Sequence, residues 1–517
     1  MSAFLKGTDR SQVLMLPECV DDYVSGENPV RVIEAFVAQL DLTSVGIEPM
    51  PSNTGRPGYD PRDLLGLYIY GYLHRVRSSR ELERQTQRNL EVLWLLRGLR
   101  PDHKTISEFR REHLKSFKAV LRSFNLLCRE LDLFGRELVA IDGSLFKAVN
   151  SRSRNHTARG LGKLLKHIDG GIEKYLREAE RADHAQESLG GAGSKDQMRL
   201  KDKLQRLGER RLRCEELLAR MQAQGVTQVS LSDAQSRLMK KTAGASGIVG
   251  YNVQAAVDAK HHLMVVAQAT NACNDFGQLS SVALAAKEEL QVEQLEVVAD
   301  GGYRDAQELE RCERAGISAH VPAAPDGQVA RGLYGREAFV YDAQADAYHC
   351  PGGQQLKRRH DDFRRGLRQQ VYYDSGACAA CPLRARCTRG SFRKMHRGEA
   401  QQALDNAAAR VKLRPEIYAQ RKAVVEHPFG TLKFWWGQGA FLLRGLPKVN
   451  AEVQLSALAY NLRRVLNLLG ATRLIAHLKA KKALLSGANC PSPAKNLILF
   501  RFFIATSANH NRMPIAA

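Results

Sequence analysis

Three acidic residues that lie far apart in this sequence occupy positions from which carboxylates can reach a common metal site. Asp142 and Asp300 each follow a mostly apolar run that predicts a β-strand, and Glu426 lies in a stretch with a helical pattern. Two strand-end aspartates and one helical glutamate can converge on a pair of Mg²⁺ ions, which prefer hard oxygen ligands and act on phosphate groups. We therefore expect Asp142, Asp300 and Glu426 to serve both as catalytic residues and as Mg²⁺ ligands.

The net charge of the chain indicates that these phosphate groups belong to a polyanion. The 517 residues have a formal net charge of +22 and a pI near 9.7. A field of this sign attracts polyanions, and DNA is the obvious candidate, although a basic protein with no such partner is the alternative. No secretory signal and no apolar run of roughly 20 residues is present, so we expect no membrane span. We also expect a reducing, cytoplasmic location, because most of the ten cysteines are scattered singly.

The remaining cysteines form a cluster in a basic part of the chain. Cys350, Cys378, Cys381 and Cys387 include one Cys-x-x-Cys pair, which resembles a four-thiolate Zn²⁺ site. The spacing is looser than that of a regular zinc ribbon, and reduced thiols packed in an irregular insert are the alternative. Arginines, lysines and aromatic residues surround the cluster, a composition that suits contacts with single-stranded DNA or DNA ends.

The pattern of apolar residues predicts a helical N-terminal region followed by a mixed sheet. Helix starts at Ser78 and near Asp102, the second running to about Leu131, suit a helix-turn-helix DNA-binding domain that includes Arg80, with a plain helical bundle as the alternative. Strands and helices then alternate around a long amphipathic insert, which predicts an α/β mixed sheet with flanking helices. The predicted segments are an N-terminal arm (1–59), a helical DNA-binding domain (60–132), three parts of a catalytic core (136–152, 231–325 and 398–470), an α-helical insert (153–230), a Cys-rich basic insert (326–397) and a tail (471–517).

Three sequence blocks around the acidic residues resemble the DDE transposases of bacterial insertion sequences. They are Val-Ala-Ile-Asp142-Gly-Ser, Val-Ala-Asp300-Gly-Gly-Tyr, and the stretch from Tyr418 through Glu426-His-Pro-Phe-Gly to Lys433, which is similar to the family's Tyr-Arg-Glu-Lys signature. Each block alone is a weak signal, since Asp-Gly-Gly is most often simply a turn. Together and in order, over about residues 10–470, they are specific. The resemblance implies an RNase H-like core, interrupted by the two inserts and preceded by an all-α domain.

The resemblance also implies roles for residues beside the carboxylates. The spacing between Glu426 and Lys433 matches that of the family signature. At the position where the signature has an arginine, this chain has Lys422, with Arg421 beside it, so either residue could be the basic partner. We expect these bases to contact DNA phosphates, with surface ion pairs as the alternative reading of each. The candidate DNA-binding residues are therefore Arg80, Tyr418, Arg421, Lys422, Lys433 and Trp435, although Trp435 or its neighbour Trp436 could instead pack in the core.

These observations lead to one expected function and two alternatives. A DDE transposase would bind the terminal inverted repeats of its element, cut the DNA strands and transfer them to target DNA by two-metal phosphoryl transfer. We expect it to act as a homodimer when it pairs two ends, in association with the bacterial nucleoid. We expect no ATP requirement, because no Gly-Lys-Ser/Thr phosphate loop is present. An inactive, transposase-derived DNA-binding regulator and an RNase H-like nuclease are the alternatives.

Overall fold

The computed structural model describes residues 19–48, 58–150, 155–187, 195–240, 247–364 and 366–485. Predictions for the first 18 residues, for the turn at 51–57, for the Gly-rich stretch 190–194 and for the end of the tail lie outside these residues. The chain divides into two compact units. One joins the described residues up to Ser123 with those from Asn461 onward, and the other comprises those from Phe124 to Tyr460.

Short helices build the N-terminal part of the chain. They are α1 (Pro29–Gln39), α2 (Pro61–Leu73), α3 (Ser79–Arg88), α4 (Leu90–Leu95), α5 (His103–Glu112) and α6 (Ser116–Glu130). Side chains of Asn28, Asp60 and Asp102 accept hydrogen bonds from the first turns of α1, α2 and α5, which fixes where these helices begin. Helix α2 is buried on all sides and forms the centre.

The segment predicted as an N-terminal arm contains α1, whose apolar residues Val30, Ile33 and Phe36 are buried. One prediction for this part needs correction. The single helix predicted from Asp102 to about Leu131 is two helices, α5 and α6. The chain turns at residues 113–115, where His113 ends α5 and its carbonyl accepts from Ser116 N.

The second unit contains a six-stranded mixed sheet. The elements of this region are β1 (Leu138–Lys147), β2 (Asn155–Thr157), α7 (Ala158–Glu187), α8 (Lys195–Gln224), β3 (Gln228–Ser230), β4 (Arg237–Met239), β5 (Ile248–Asp258), β6 (Met264–Thr270), α9 (Leu279–Leu290), β7 (Leu295–Val298), α10 (Ala306–Arg314) and β8 (Ile317–His320). Strand β5 pairs antiparallel with β1, and both β6 and the short β4 pair antiparallel with β5, while β7 and β8 follow on the other side of β1 in parallel pairing. The order β6-β5-β1-β7-β8 is that of an RNase H-like sheet, so the predicted fold class is confirmed.

Strand β1 is longer than its apolar run predicts. We expected Asp142 to close the strand, but β1 continues to Lys147 because β5 pairs with it along its whole length from Val139. The parallel neighbour β7 pairs with β1 only as far as Ala140. Asp142 therefore lies just beyond the point where the parallel pairing stops, inside a strand that is still held on its antiparallel side.

Two inserts interrupt this core. Helices α7 and α8 pack together around buried Leu161, Ile168 and Met221, which agrees with the expected amphipathic helical insert. The Cys-rich insert contains a five-stranded sheet in the order β13-β12-β11-β10-β9. Its elements are β9 (Val340–Asp342), β10 (Ala347–His349), β11 (Gln355–Arg364), β12 (Leu367–Tyr372), α11 (Ser375–Ala379), α12 (Arg384–Cys387) and β13 (Met395–Gly398).

Helices complete the described chain. Helices α13 (Gln401–Leu413) and α14 (Pro415–Gly430) follow the insert, and α14 packs against β1. A π-helical turn at Thr431–Trp435 extends α14, and α15 (Leu446–Leu469) and α16 (Ala471–Leu485) come last. Helix α16 packs against α1 within the first unit, a contact that the sequence pattern did not indicate. Among the residues described, no helix is both long and apolar enough to cross a membrane.

Candidate active site

Asp142 is the most deeply set of the predicted acidic residues. Its side chain is 24% exposed, and the preceding Ile141 is completely buried. Burial is the main cause that raises the pKa of Asp142 to about 6. The nearby carboxylates of Asp300 and Asp275 act in the same direction, while Arg421 and the backbone N–H of Gly143 act against them. Several carboxylates therefore share one partly buried space at this edge of the sheet.

Asp300 reaches the same space from the neighbouring strand. It follows β7 by two residues, and its Oδ1 accepts a hydrogen bond from Gly302 N at 2.8 Å, which caps the short 3₁₀ turn Gly301–Tyr303. Tyr303 is buried below, and burial together with the charges of Asp275, Asp142 and Asp300 raises the pKa of its hydroxyl. The structure thus brings Asp142 and Asp300 together through adjacent parallel strands, as the pattern predicts.

Helix α14 presents its basic and acidic residues differently. Arg421 Nη1 lies 3.6 Å from Asp142 Oδ2, and its side chain is only 18% exposed. Lys422 Nζ lies instead 3.8 Å from Glu426 Oε1 in an exposed pair, with Glu426 64% exposed. Arg421 is therefore the base that meets the aspartates. Glu426 lies on the same helix, and its exposed carboxylate contacts Lys422.

The segment after α14 places the half-buried Lys433 against β1. Its Nζ donates to Ser144 Oγ at 2.5 Å and to the Leu145 carbonyl oxygen at 2.7 Å, and it lies over the ring of Phe146. We expected this ammonium to hold a DNA phosphate, but the π-helical turn directs it toward β1. In this arrangement Lys433 anchors the part of β1 that follows Asp142.

The two tryptophans near Lys433 differ in their exposure to solvent, as in the alternative that one of them packs in the core. Trp436 is 9% exposed and packs inward, whereas Trp435 is 76% exposed. Tyr418, on the first turn of α14, is half-buried, with Ile417 buried beside it. Trp435 is therefore free to meet a ligand, while Trp436 is a packing residue.

Asp275, which follows β6, is a further residue of this site that the sequence pattern did not indicate. Its Oδ1 accepts hydrogen bonds from Asn252 Nδ2 at 2.8 Å and from Gln254 Nε2 at 2.6 Å, and Gln254 Oε1 accepts from the hydroxyl of Tyr303. A signal was present in β5, because Asn252 and Gln254 are buried amides in an otherwise apolar strand. Buried amides at alternate positions of a central strand need polar partners, which here belong to the site.

Gly143 is required for this arrangement. A Cβ at this position would lie 2.0 Å from Asp275 Oδ1 and 2.4 Å from Gln254 Nε2. Both distances are far below van der Waals contact, so any side chain would displace Asp275 or the amides. The glycine after Asp142 therefore makes room for the additional carboxylate.

The four cysteines of the insert lie around one small cavity of about 20 Å³. Cys350 stands in the turn between β10 and β11, Cys378 and Cys381 lie at α11, and Cys387 ends α12. Burial raises the pKa of Cys387, the three other thiols raise it further, and Arg393 lowers it. Within the described ranges, no three His, Cys, Asp or Glu side chains stand in positions from which they could already hold a metal ion.

Arg80 lies in the other unit, on the first turn of α3, and is exposed. Neighbouring bases on these helices are partly neutralised, since Arg84 and Arg88 both pair with Glu81. Arg97 pairs with buried Asp63 and so has a structural role.

Two family models match parts of this chain. The model described as Transposase domain (DUF772) matches residues 18–112, and the model described as Transposase DDE domain matches residues 349–466. The second match contains Glu426, while neither contains Asp142 or Asp300. Both matches are to transposase models, and together they support a DDE transposase of insertion-sequence type. They support a transposase, that is a nucleotidyl transferase, and DDE transposase domains generally use a divalent metal ion.

Comparison with solved structures gives one match, a piggyBac transposase synaptic complex with hairpin DNA, studied by cryo-EM. It is 9% identical, covers 95% of this chain and 87% of that chain, and has a TM-score of 0.29. A likeness at this TM-score carries no argument about fold or function. No curated protein matches the chain.

Proposed function

We propose that this transposase cuts DNA at the terminal inverted repeats of its own element and joins the cut strands to target DNA. Asp142, Asp300 and Glu426 are the proposed carboxylates of its Mg²⁺ centre. The observation that carries the proposal is the meeting of Asp142 and Asp300 at one edge of the sheet, close enough for Asp300 to raise the pKa of Asp142.

The donor set fits a divalent cation of the Mg²⁺ type. Partly buried carboxylates that repel one another are hard oxygen donors, and a cation between them would relieve the repulsion. When bound, such a cation stabilises the charge that develops on phosphate oxygens during strand cleavage. The chain itself supplies the fixed positions of these donors, since β1 and β7 hold Asp142 and Asp300 in register.

Neighbouring residues position this centre. Arg421 pairs with Asp142 from α14, which favours the ionised carboxylate that a cation requires. Lys433 fixes the backbone of β1 beyond Asp142. Glu426 follows Arg421 by five residues, so it lies roughly 7–8 Å further along the axis of α14, on a more exposed face. In the proposal, Glu426 exchanges its contact with Lys422 for the metal centre when DNA is present.

The test uses the purified full-length protein and duplexes that contain the DNA flanking its gene on either side. We expect strand cleavage at the element ends in Mg²⁺ and none when Mg²⁺ is chelated, with binding retained in both conditions. Binding without cleavage in any divalent metal would favour the inactive regulator. Cleavage unrelated to the element ends would favour the RNase H-like nuclease.

We assign recognition of the ends to the N-terminal helices, with Arg80 as a phosphate contact. Full-length Arg80→Ala should bind the end duplex more weakly and show a log–log salt slope smaller by roughly one, because one counterion-releasing contact is lost. Arg206→Ala is the matched control, since Arg206 is an exposed arginine on the helical insert that pairs with Asp202. Equal slopes for wild type and Arg80→Ala would exclude Arg80 from the DNA interface.

We assign Trp435 to stacking on an exposed DNA base near the cleavage site. Trp435→Ala should weaken binding of an end with unpaired bases by roughly 1–3 kcal/mol without lowering stability. The adjacent Trp436→Ala should instead destabilise the protein by about 3–5 kcal/mol, because it removes a packed side chain. Unchanged DNA affinity of Trp435→Ala would contradict the stacking role.

We further propose that the four cysteines hold one structural Zn²⁺. The donor set is that of a closed four-thiolate site, and all four residues line the same cavity. Cys350 and Cys387 also pack against buried Phe339 and Tyr348, so metal binding would secure the edge of a small apolar cluster. Metal analysis of the purified protein tests this proposal directly.

A further inference from the structure

A polar recess lies between β5 and the carboxylate pair, and the proposed metal ligands do not account for it. Asp275 occupies the recess with Asn252 and Gln254 of β5. Asn252 is 2% exposed and Gln254 is completely buried, so the sequence places two amides and a carboxylate where apolar side chains would pack more easily.

One atom of this recess is left without a partner. Asn252 donates through Nδ2 to Asp275, but no atom in the described residues donates a hydrogen bond to its buried Oδ1. A buried amide oxygen that has lost water without gaining a donor destabilises the folded protein. A cation, or water bound to a cation, would satisfy an oxygen in this position.

The same oxygen and Asp275 both face the backbone beside Asp142. From the position of a Cβ on Gly143, Asn252 Oδ1 would lie 2.9 Å away and Asp275 Oδ1 2.0 Å away. From the equivalent point on Gly302, Asp275 Oδ2 would lie 3.6 Å and Asp300 Oδ1 2.9 Å away. Asp275 thus lies between the residues that follow Asp142 and Asp300, where both glycines leave room for it.

We propose that Asp275 is a further carboxylate ligand of the divalent cation and that the Asn252 amide oxygen accepts a hydrogen bond from water bound to that cation. This inference rests on the proposed function, because it assumes that Asp142 and Asp300 bind the cation. In this inference Asp275 supplies a ligand to the divalent cation that the exposed Glu426 does not supply in the absence of DNA.

Asp275 could instead serve only as a hydrogen-bond acceptor for the two amides. The variant Asp275→Asn separates these roles, since an asparagine oxygen can still accept from Asn252 and Gln254 while the negative charge is lost. We expect its melting temperature without metal to remain close to that of wild type. Its affinity for Mn²⁺, measured by titration of the full-length protein without DNA, should fall by roughly tenfold or more.

Two comparisons make the result decisive. Asp132→Asn removes an equally negative but exposed carboxylate elsewhere and should bind Mn²⁺ like the wild type. Asp142→Asn should lose Mn²⁺ binding if the proposed function is right. Loss of Mn²⁺ binding in both Asp142→Asn and Asp275→Asn supports the inference. Loss of Mn²⁺ binding in Asp142→Asn alone overturns the inference but leaves the proposed function intact. Wild-type Mn²⁺ binding in both variants overturns the inference and the proposed function.

A second variant covers the case in which Asp275→Asn does not fold. Asn252→Ala removes the unpartnered oxygen and leaves the charge of Asp275 in place. We expect it to fold and to bind Mn²⁺ several-fold more weakly than wild type. Wild-type Mn²⁺ affinity in Asn252→Ala would then contradict the inference.

Discussion

The carboxylate centre, formed by Asp142, Asp275 and Asp300, and the cysteine cluster of residues 350–387 gather possible metal ligands in opposite ways. Asp142 precedes Asp275 and Asp300 by more than a hundred residues, and strand pairing in the main sheet brings these segments together. The cysteines come from turns and short helices within one insert. The first arrangement depends on a large fold, whereas the second is local.

This difference indicates what a metal would do in each place. Strands β1, β5 and β7 contain completely buried side chains, among them Ile141, Ala255 and Val297, so the sheet holds the carboxylates whether or not a cation is bound. The insert has only a small cluster around Tyr348 and Tyr372, and two of its cysteines lie at the edge of that cluster. Loss of metal should therefore remove activity in the first case and local structure in the second.

The largest expected effect belongs to the carboxylate centre. Asp142→Asn and Asp300→Asn should each reduce strand cleavage roughly a thousandfold, about 4 kcal/mol of transition-state stabilisation. DNA binding and the melting temperature should change little, because the sheet remains. Single-turnover cleavage and thermal melting of the full-length variants measure both quantities. Near-normal cleavage by either variant in Mg²⁺ would remove that residue from the centre.

The cysteine cluster should show the reverse pattern. Cys378→Ser combined with Cys381→Ser should abolish bound Zn²⁺ and reduce hydrogen-exchange protection across the insert, while the main sheet keeps its protection. Cys19→Ser is the control, because Cys19 is exposed and lies outside the insert. Purified protein without zinc, together with unchanged protection in the double variant, would show that the cysteines are only packed thiols.

A smaller effect distinguishes two lysines beside the carboxylate centre. Lys433→Met removes two hydrogen bonds to β1 and should lower the free energy of unfolding by about 1.5–3 kcal/mol. Lys422→Met breaks only the exposed pair with Glu426 and should change the free energy of unfolding by less than about 0.5 kcal/mol. If Lys433→Met were as stable as wild type but reduced the salt slope of DNA binding, Lys433 would contact phosphate as the sequence first suggested.

Patterns of apolar residues were sufficient to predict the strands and helices of the main sheet in chain order. Alternating strands and helices predicted a mixed sheet flanked by helices, and the apolar runs before Asp142 and Asp300 predicted that both carboxylates can converge on one site. The helical insert followed from its leucine spacing. These features depend on local periodicity, which a single sequence records.

Other features depend on contacts between distant segments and could not be predicted in this way. The extension of β1 past Asp142 is due to pairing with β5, more than a hundred residues later. The inward direction of Lys433 follows from a π-helical turn after Pro428, which shifts the phase of the helix. Asp275 lies in a loop with no motif around it, and only its contacts with Asn252 and Gln254 reveal its place.

The central claim is that Asp300, with Asp142, holds the cation that acts on DNA, and a change of ligand type tests it most directly. In Asp300→Cys a thiolate replaces the carboxylate, a ligand that Mg²⁺ accepts poorly and that softer divalent metals accept better. Strand cleavage at the element ends should be measured in Mg²⁺ and in Mn²⁺ for this variant and for wild type. The account predicts that wild type cleaves with both metals and that Asp300→Cys cleaves only with Mn²⁺. Cleavage by Asp300→Cys at the wild-type rate in Mg²⁺ would contradict it.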